Sequence, residues 1–108
     1  MQNILQIFIS DNNEEMSLKL KTNSEIIKNF YYDFKYNFYN DNSIKEFLLE
    51  NYNEDILNTY KKLKPYSYKC DFARYCILFK QGGWYFDLGL KVLKRIEVKQ
   101  TTSLVIFR

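Results

Sequence analysis

A double glycine, Gly82-Gly83, divides the stretch from Asp71 to Lys91, DFARYCILFKQGGWYFDLGLK, into two periodicities, and all three glycines of the chain fall inside it. Before it, Phe72, Ala73, Cys76, Ile77 and Lys80 recur at three- and four-residue spacing. The spacing predicts an amphipathic helix with these residues on one side and Asp71, Arg74, Tyr75 and Leu78 on another. The two glycines suit a helix C-cap, where a residue without Cβ enters the left-handed region at little cost. After them the period is two. Trp84, Phe86, Leu88 and Leu90 alternate with Tyr85, Asp87, Gly89 and Lys91, which predicts a strand with one polar face. A carboxylate beside a glycine on an aromatic strand is poor core chemistry and reads as the edge of a site.

The remaining chain supplies alternating elements. Ile4 to Ile9 is a short apolar run closed by Ser10, Asp11, Asn12 and Asn13, as expected of a buried parallel strand and its loop. Ser24 and Glu25, ahead of Ile26, Ile27 and Phe30, predict a helix from about Ser24. Between Phe30 and Asn40, Phe34, Tyr36 and Phe38 alternate with Lys35, Asn37 and Tyr39, which predicts a half-buried strand. Aromatic residues interleaved with lysine also occur on single-strand nucleic-acid platforms, but the basic residues here are too few. Asp41-Asn42-Ser43 with Glu46 predicts a capping box on Ser43. Two short helices follow, up to Lys64-Pro65, and then a helix over Tyr68 to Gln81. Val92, Leu93 and Ile96 prolong the strand after the glycines, and Ser103 to Phe107 form a last one. The order strand, helix, strand, helix, helix, strand, strand predicts an α/β domain with a mainly parallel sheet flanked by helices.

Composition narrows the function. At 108 residues the chain is expected to be a single domain spanning residues 1 to 108, and 46% hydrophobic residues with one proline suit a packed fold. A net charge of +3 is too mild for a dedicated nucleic-acid surface, so no nucleic-acid partner is expected. Cys70 and Cys76, six apart on the predicted helix, would point in different directions. With no histidine and no Cys-x-x-Cys pair, they read as reduced thiols rather than zinc ligands. No signal peptide or membrane-spanning run is evident, so a cytoplasmic location is expected, with a peripheral place at the inner face of a membrane left open.

The stretch resembles the signature of the glycosyltransferases that carry a DXD motif in a nucleotide-sugar-binding region, the family 32 type related to yeast mannosyltransferases and to the glucosylating clostridial toxins. That signature runs as Asp-x-x-Arg-Tyr, an apolar helical turn, Gly-Gly-x-Tyr, then Asp-x-Asp. Asp71, Arg74, Tyr75, Gly82, Gly83, Tyr85 and Asp87 match it in order and spacing, and Gly89 stands where the second Asp belongs. The opening ILQIFIS is similar to the family's first strand, with Phe8 at the position of a tryptophan that stacks on the nucleotide base.

The resemblance implies a Rossmann-like GT-A fold, of which these residues would form the N-terminal nucleotide-binding part of a longer enzyme. It implies a nucleotide-diphosphate sugar as donor and a saccharide acceptor, as in bacterial surface-polysaccharide synthesis. Phe8, Asp71, Arg74, Tyr85 and Asp87 become the candidate nucleotide-sugar residues. A divalent cation, manganese or magnesium, would bind at Asp87, with Gly89 unable to supply the second carboxylate. Lys91 would stand in for that charge or remain solvated. Plainer readings stand beside each assignment. Phe8 and Tyr85 also suit a core, and Asp71 with Arg74 suits an i,i+3 ion pair on a helix surface. No catalytic residue is assigned, and the alternative function is a degenerate, non-catalytic nucleotide-sugar-binding domain.

Overall fold

A computed structural model describes residues 2–10, 14–89 and 104–107. It contains β1 (Asn3–Ile7), α1 (Leu18–Phe30), β2 (Lys35–Tyr39), α2 (Asp41–Asn51), α3 (Glu54–Lys62), α4 (Tyr66–Gln81), β3 (Gly83–Phe86) and β4 (Leu104–Phe107). The four strands form one sheet in the order β2-β1-β3-β4, and every neighbouring pair is parallel. This is the expected α/β architecture, a Rossmann-like sheet with helices on both faces.

Each face has its own core. Register places Ile4 beside both Tyr36 and Trp84. These residues pack with Ile27, Tyr31 and Phe86 beneath α1. The alternate residues Leu5, Ile7 and Tyr85 turn to the other face and pack against Ile44, Leu48, Tyr60, Ala73, Ile77 and Leu78 of α2, α3 and α4. The chain leaves β1 to one side through α1 to β2, then crosses back through three helices to β3 on the other side. Right-handed crossovers put the helices of these two excursions on opposite faces. The point where strand order reverses lies between β1 and β3, and ligands of such sheets settle beyond the carboxyl ends of the strands there.

Several boundaries differ from the sequence expectation, each for a local reason. α1 begins at Leu18 rather than near Ser24, because the Ser17 side chain caps it by accepting from the Leu20 amide. The α2 cap is Asn40, not Ser43. Asn40 Oδ1 accepts from the Ser43 amide and Ser43 Oγ accepts from the Asn40 amide, so serine occupies the far corner of the box. In β2 the alternation holds, but Phe38 is exposed and Tyr39, expected on the polar face, packs against Phe47 because α2 covers that side. α4 buries Ala73, Arg74, Ile77 and Leu78, so Arg74 and Leu78 lie on the inward face and Lys80 on the outward one.

Gly82 ends α4 with φ 69°, and its amide donates to the Leu78 carbonyl at 2.7 Å. Gly83 already belongs to β3. Its φ is 113°, and a Cβ there would lie 2.7 Å from the Asn3 carbonyl oxygen, so only glycine lets β3 start beside β1. β3 ends at Phe86, and Leu88 and Gly89 form a turn, so the predicted strand does not run on to Lys91. Lys91 and the expected strand residues Val92, Leu93 and Ile96 lie outside the described residues.

Candidate functional site

Beyond the carboxyl ends of β1 and β3 lies a cleft of about 530 Å³, within the usual range for a small-molecule site. Phe8, Asp71, Arg74, Tyr85 and Asp87 all line it, so the fold brings together all five residues singled out from the sequence. Phe8 directly follows β1, half-buried, with its amide anchored on the Tyr39 carbonyl at 3.0 Å. Asp71 and Arg74 come from successive turns of α4. Tyr85 and Asp87 are the last inward residue of β3 and the first residue after it. Ser10, Tyr66 and Ser67 add hydroxyls to the walls, and Glu14 adds a further carboxylate.

Arg74 dominates the electrostatics. Its side chain is only 6% exposed, and it pairs with Asp71 at 3.0 Å across one helical turn. The guanidinium carbon lies 5.3 Å from the ring centroids of both Tyr75 and Tyr85. This is not the surface ion pair that i,i+3 spacing alone suggests, because a buried cation must be compensated on every side. Nε of Arg74 is buried and has no hydrogen-bond partner among the described residues. The arginine is held by an aspartate and two aromatic rings at the wall of the cleft, and its unsatisfied Nε lies inside the packing rather than on the cleft surface.

The neighbouring phenol and thiols stay neutral. Burial pushes the Tyr85 phenol well above its ordinary value, and the charges of Asp87 and Cys70 add to this while Arg74 opposes it. Tyr85 is therefore a hydrogen-bonding phenol at cellular pH. The Cys70 thiol is pushed up to about 11, by burial first and then by Asp71 and Asp87. It is not a nucleophile. Cys76 is raised by burial as well, and both cysteines are free thiols.

The 87–89 segment corrects the expected strand geometry. Asp87 and Gly89 do not share a strand face. They sit in a tight turn in which Asp87 Oδ2 accepts from the Gly89 amide at 3.2 Å. A Cβ on Gly89 would lie 3.2 Å from that same oxygen. Among the described residues, no three acidic, cysteine or histidine side chains converge as cation ligands. A divalent ion takes six or more oxygens, and one Asp87 oxygen is already engaged by the turn. Among the described residues the protein alone therefore offers no multi-carboxylate cage for a cation.

Sequence reasoning missed two buried amides. Gln6 is fully buried in the middle of β1, where its Nε2 donates to the Phe86 carbonyl at 3.2 Å and its Oε1 accepts from the Tyr36 hydroxyl at 2.7 Å. Asn23, buried on α1, donates through Nδ2 to the Leu88 carbonyl at 3.2 Å. The available signals were a lone polar residue inside the apolar run ILQIFI and an asparagine one turn before Ile27 on the inward helix face.

A family model described as the glycosyltransferase sugar-binding region containing DXD motif matches residues 13–105. The chain belongs to that family. The chain is also similar to an uncharacterized glycosyltransferase of Acanthamoeba polyphaga mimivirus, at 35% identity over 83 residues. That match takes in 77% of this chain and 33% of the relative, so the chain spans about a third of the length of the curated relative it matches. No solved structure matches. Asp87, Leu88 and Gly89, which the sequence resemblance aligns with the motif, line the cleft and lie within the matched residues. Among the described residues no helix is long and apolar enough to cross a membrane.

Proposed function

We propose that this domain binds a nucleotide-diphosphate sugar in the cleft beyond β1 and β3, as the donor site of a glycosyltransferase that passes the sugar to a saccharide acceptor. The observation that carries this reading is Arg74, a buried cation paired with Asp71 at the wall of a cleft at the switch point. Phe8 offers its ring to the base, Asp71 and Arg74 take the sugar hydroxyls, Tyr85 lines the pocket, and Asp87 takes the ribose. Catalysis then rests on holding the donor and stabilising the leaving diphosphate. The acceptor, of the kind built into bacterial surface polysaccharides, and a cytoplasmic site of action at the inner face of a membrane are inferred from the family's chemistry.

Gly89 favours a second reading, a nucleotide-sugar-binding domain without transfer activity, because the second acid of the motif is absent. Titration with UDP, GDP and their sugars, with and without manganese, tests both. Donor binding at a hundred times its Kd adds about 2.7 kcal/mol, a melting shift on the order of 10 °C for a domain of this size. With Gly89 in place of a second strand-end acid, manganese is expected to change the shift little. Binding with no release of nucleotide in the presence of sugar acceptors supports the non-catalytic reading. No shift with any of these nucleotides rejects the donor site.

A further inference from the structure

We infer that Gln6 and Asn23 are positioning residues for Asp87, acting through the carbonyls of its two chain neighbours. The inference rests on the donor-site reading above and adds to it a device that the motif residues do not contain. Gln6 holds the Phe86 carbonyl from β1, and Asn23 holds the Leu88 carbonyl from α1, each at 3.2 Å. A carbonyl only accepts, so in both cases the amide nitrogen faces the backbone and the orientation of the side chain is unambiguous. Gln6 thereby fixes the peptide plane that leads into Asp87. Asn23 fixes the Leu88–Gly89 plane, whose Gly89 amide donates to the Asp87 carboxylate.

Structural need alone explains this poorly. Parallel sheets are built of apolar residues, and a fully buried glutamine or nearly buried asparagine costs desolvation that only well-made hydrogen bonds offset. Both amides are aimed at the two residues beside the acid of the site, from two different elements. Gln6 is in turn oriented by Tyr36, whose hydroxyl donates to Oε1 at 2.7 Å from β2. A chain of contacts therefore runs from Tyr36 through Gln6 and Phe86 to Asp87. Tyr36 borders a different surface hollow and does not line the cleft. Under the inference, an effect of Tyr36 on donor binding travels through this chain.

A double-mutant cycle on donor affinity tests the inference, using UDP- and GDP-sugars and isothermal titration. Asn23→Ser and Tyr36→Phe each should weaken binding about fivefold, and the loss should largely vanish in an Asp87→Ala background, as coupled residues require. Equal losses in the native and Asp87→Ala backgrounds would overturn the inference, because the amides would then act on stability or on the cleft in general. Gln6→Met completes the set where it folds; Tyr36→Phe and Asn23→Ser decide the matter if it does not. A ligand-free measurement separates this from the donor-site reading. The Gly89 amide signal in a proton–nitrogen correlation spectrum should move on Tyr36→Phe, and should not move with it once Asp87 is alanine. If no nucleotide binds but the Gly89 signal responds this way, the clamp stands and the donor reading falls; if nucleotide binds and neither readout couples, the clamp falls alone.

Discussion

The two faces of the sheet solve different problems with similar residues. Under α1, aromatic rings interlock: Tyr31 and Phe34 lie 5.3 Å apart at 65°, Phe34 and Trp84 5.2 Å apart at 86°, and Tyr31 and Phe86 5.2 Å apart. These edge-on and tilted contacts add to area burial. Under α4, Tyr85 occupies the equivalent inward position but faces a buried arginine and a cleft. The first face is packed chiefly by apolar and aromatic contacts, with Gln6 and Asn23 as its buried amides. The second retains a buried charge, a feature that commonly contributes little to stability.

Three substitutions probe that contrast, from the largest expected effect to the smallest. Trp84 is 2% exposed and sits at the centre of the aromatic face, with its indole nitrogen donating to Gln2 Oε1. Trp84→Ala should destabilise the domain by about 3–5 kcal/mol in denaturant unfolding. A loss below about 1 kcal/mol would show that the aromatic face is not the stabilising one. Arg74→Met should do the reverse. It keeps bulk and removes a buried charge, so stability should stay within about 1 kcal/mol of the native protein. Donor affinity should fall about tenfold or more, as for a lost charge-assisted hydrogen bond. A large stability loss with unchanged affinity would make Arg74 a structural residue.

Tyr60→Phe addresses the polar edge of the second face, where the Tyr60 hydroxyl donates to Asp41 Oδ1 at 2.7 Å and Lys45 pairs with Asp41 at 2.9 Å. Burial alone would raise the Asp41 carboxyl, but Tyr60, Lys45 and Lys69 outweigh it and hold the carboxyl below its ordinary value. A carboxyl depressed in the folded state contributes stability that is present above its unfolded value and is lost as pH falls through the folded one. Tyr60→Phe should therefore cost about 1–2 kcal/mol at neutral pH and flatten the acid limb of the stability curve below about pH 4. An unchanged acid limb would remove Tyr60 as a cause of the shift.

The period change at Gly82-Gly83, the order of elements and the convergence of Phe8, Asp71, Arg74, Tyr85 and Asp87 were legible in the sequence. Periodicity reports burial, glycine reports backbone need, and the motif spacing carries the family. Element starts were less legible, since Ser17, Ser24, Asn40 and Ser43 all have capping side chains and only the finished helix selects among them.

What the chain by itself determined is which faces exist; what only the tertiary structure decided is what each face meets. Helical spacing put Arg74 with the polar residues, and β3 packing beside α4 buried it. Strand spacing put Asp87 and Gly89 side by side, and the end of β3 at Phe86 folded them into a turn instead. Gln6 and Asn23 carried almost no local signal. Their partners are the Phe86 and Leu88 carbonyls, 80 and 65 residues away, and a hydrogen bond over that separation exists only after the sheet has assembled.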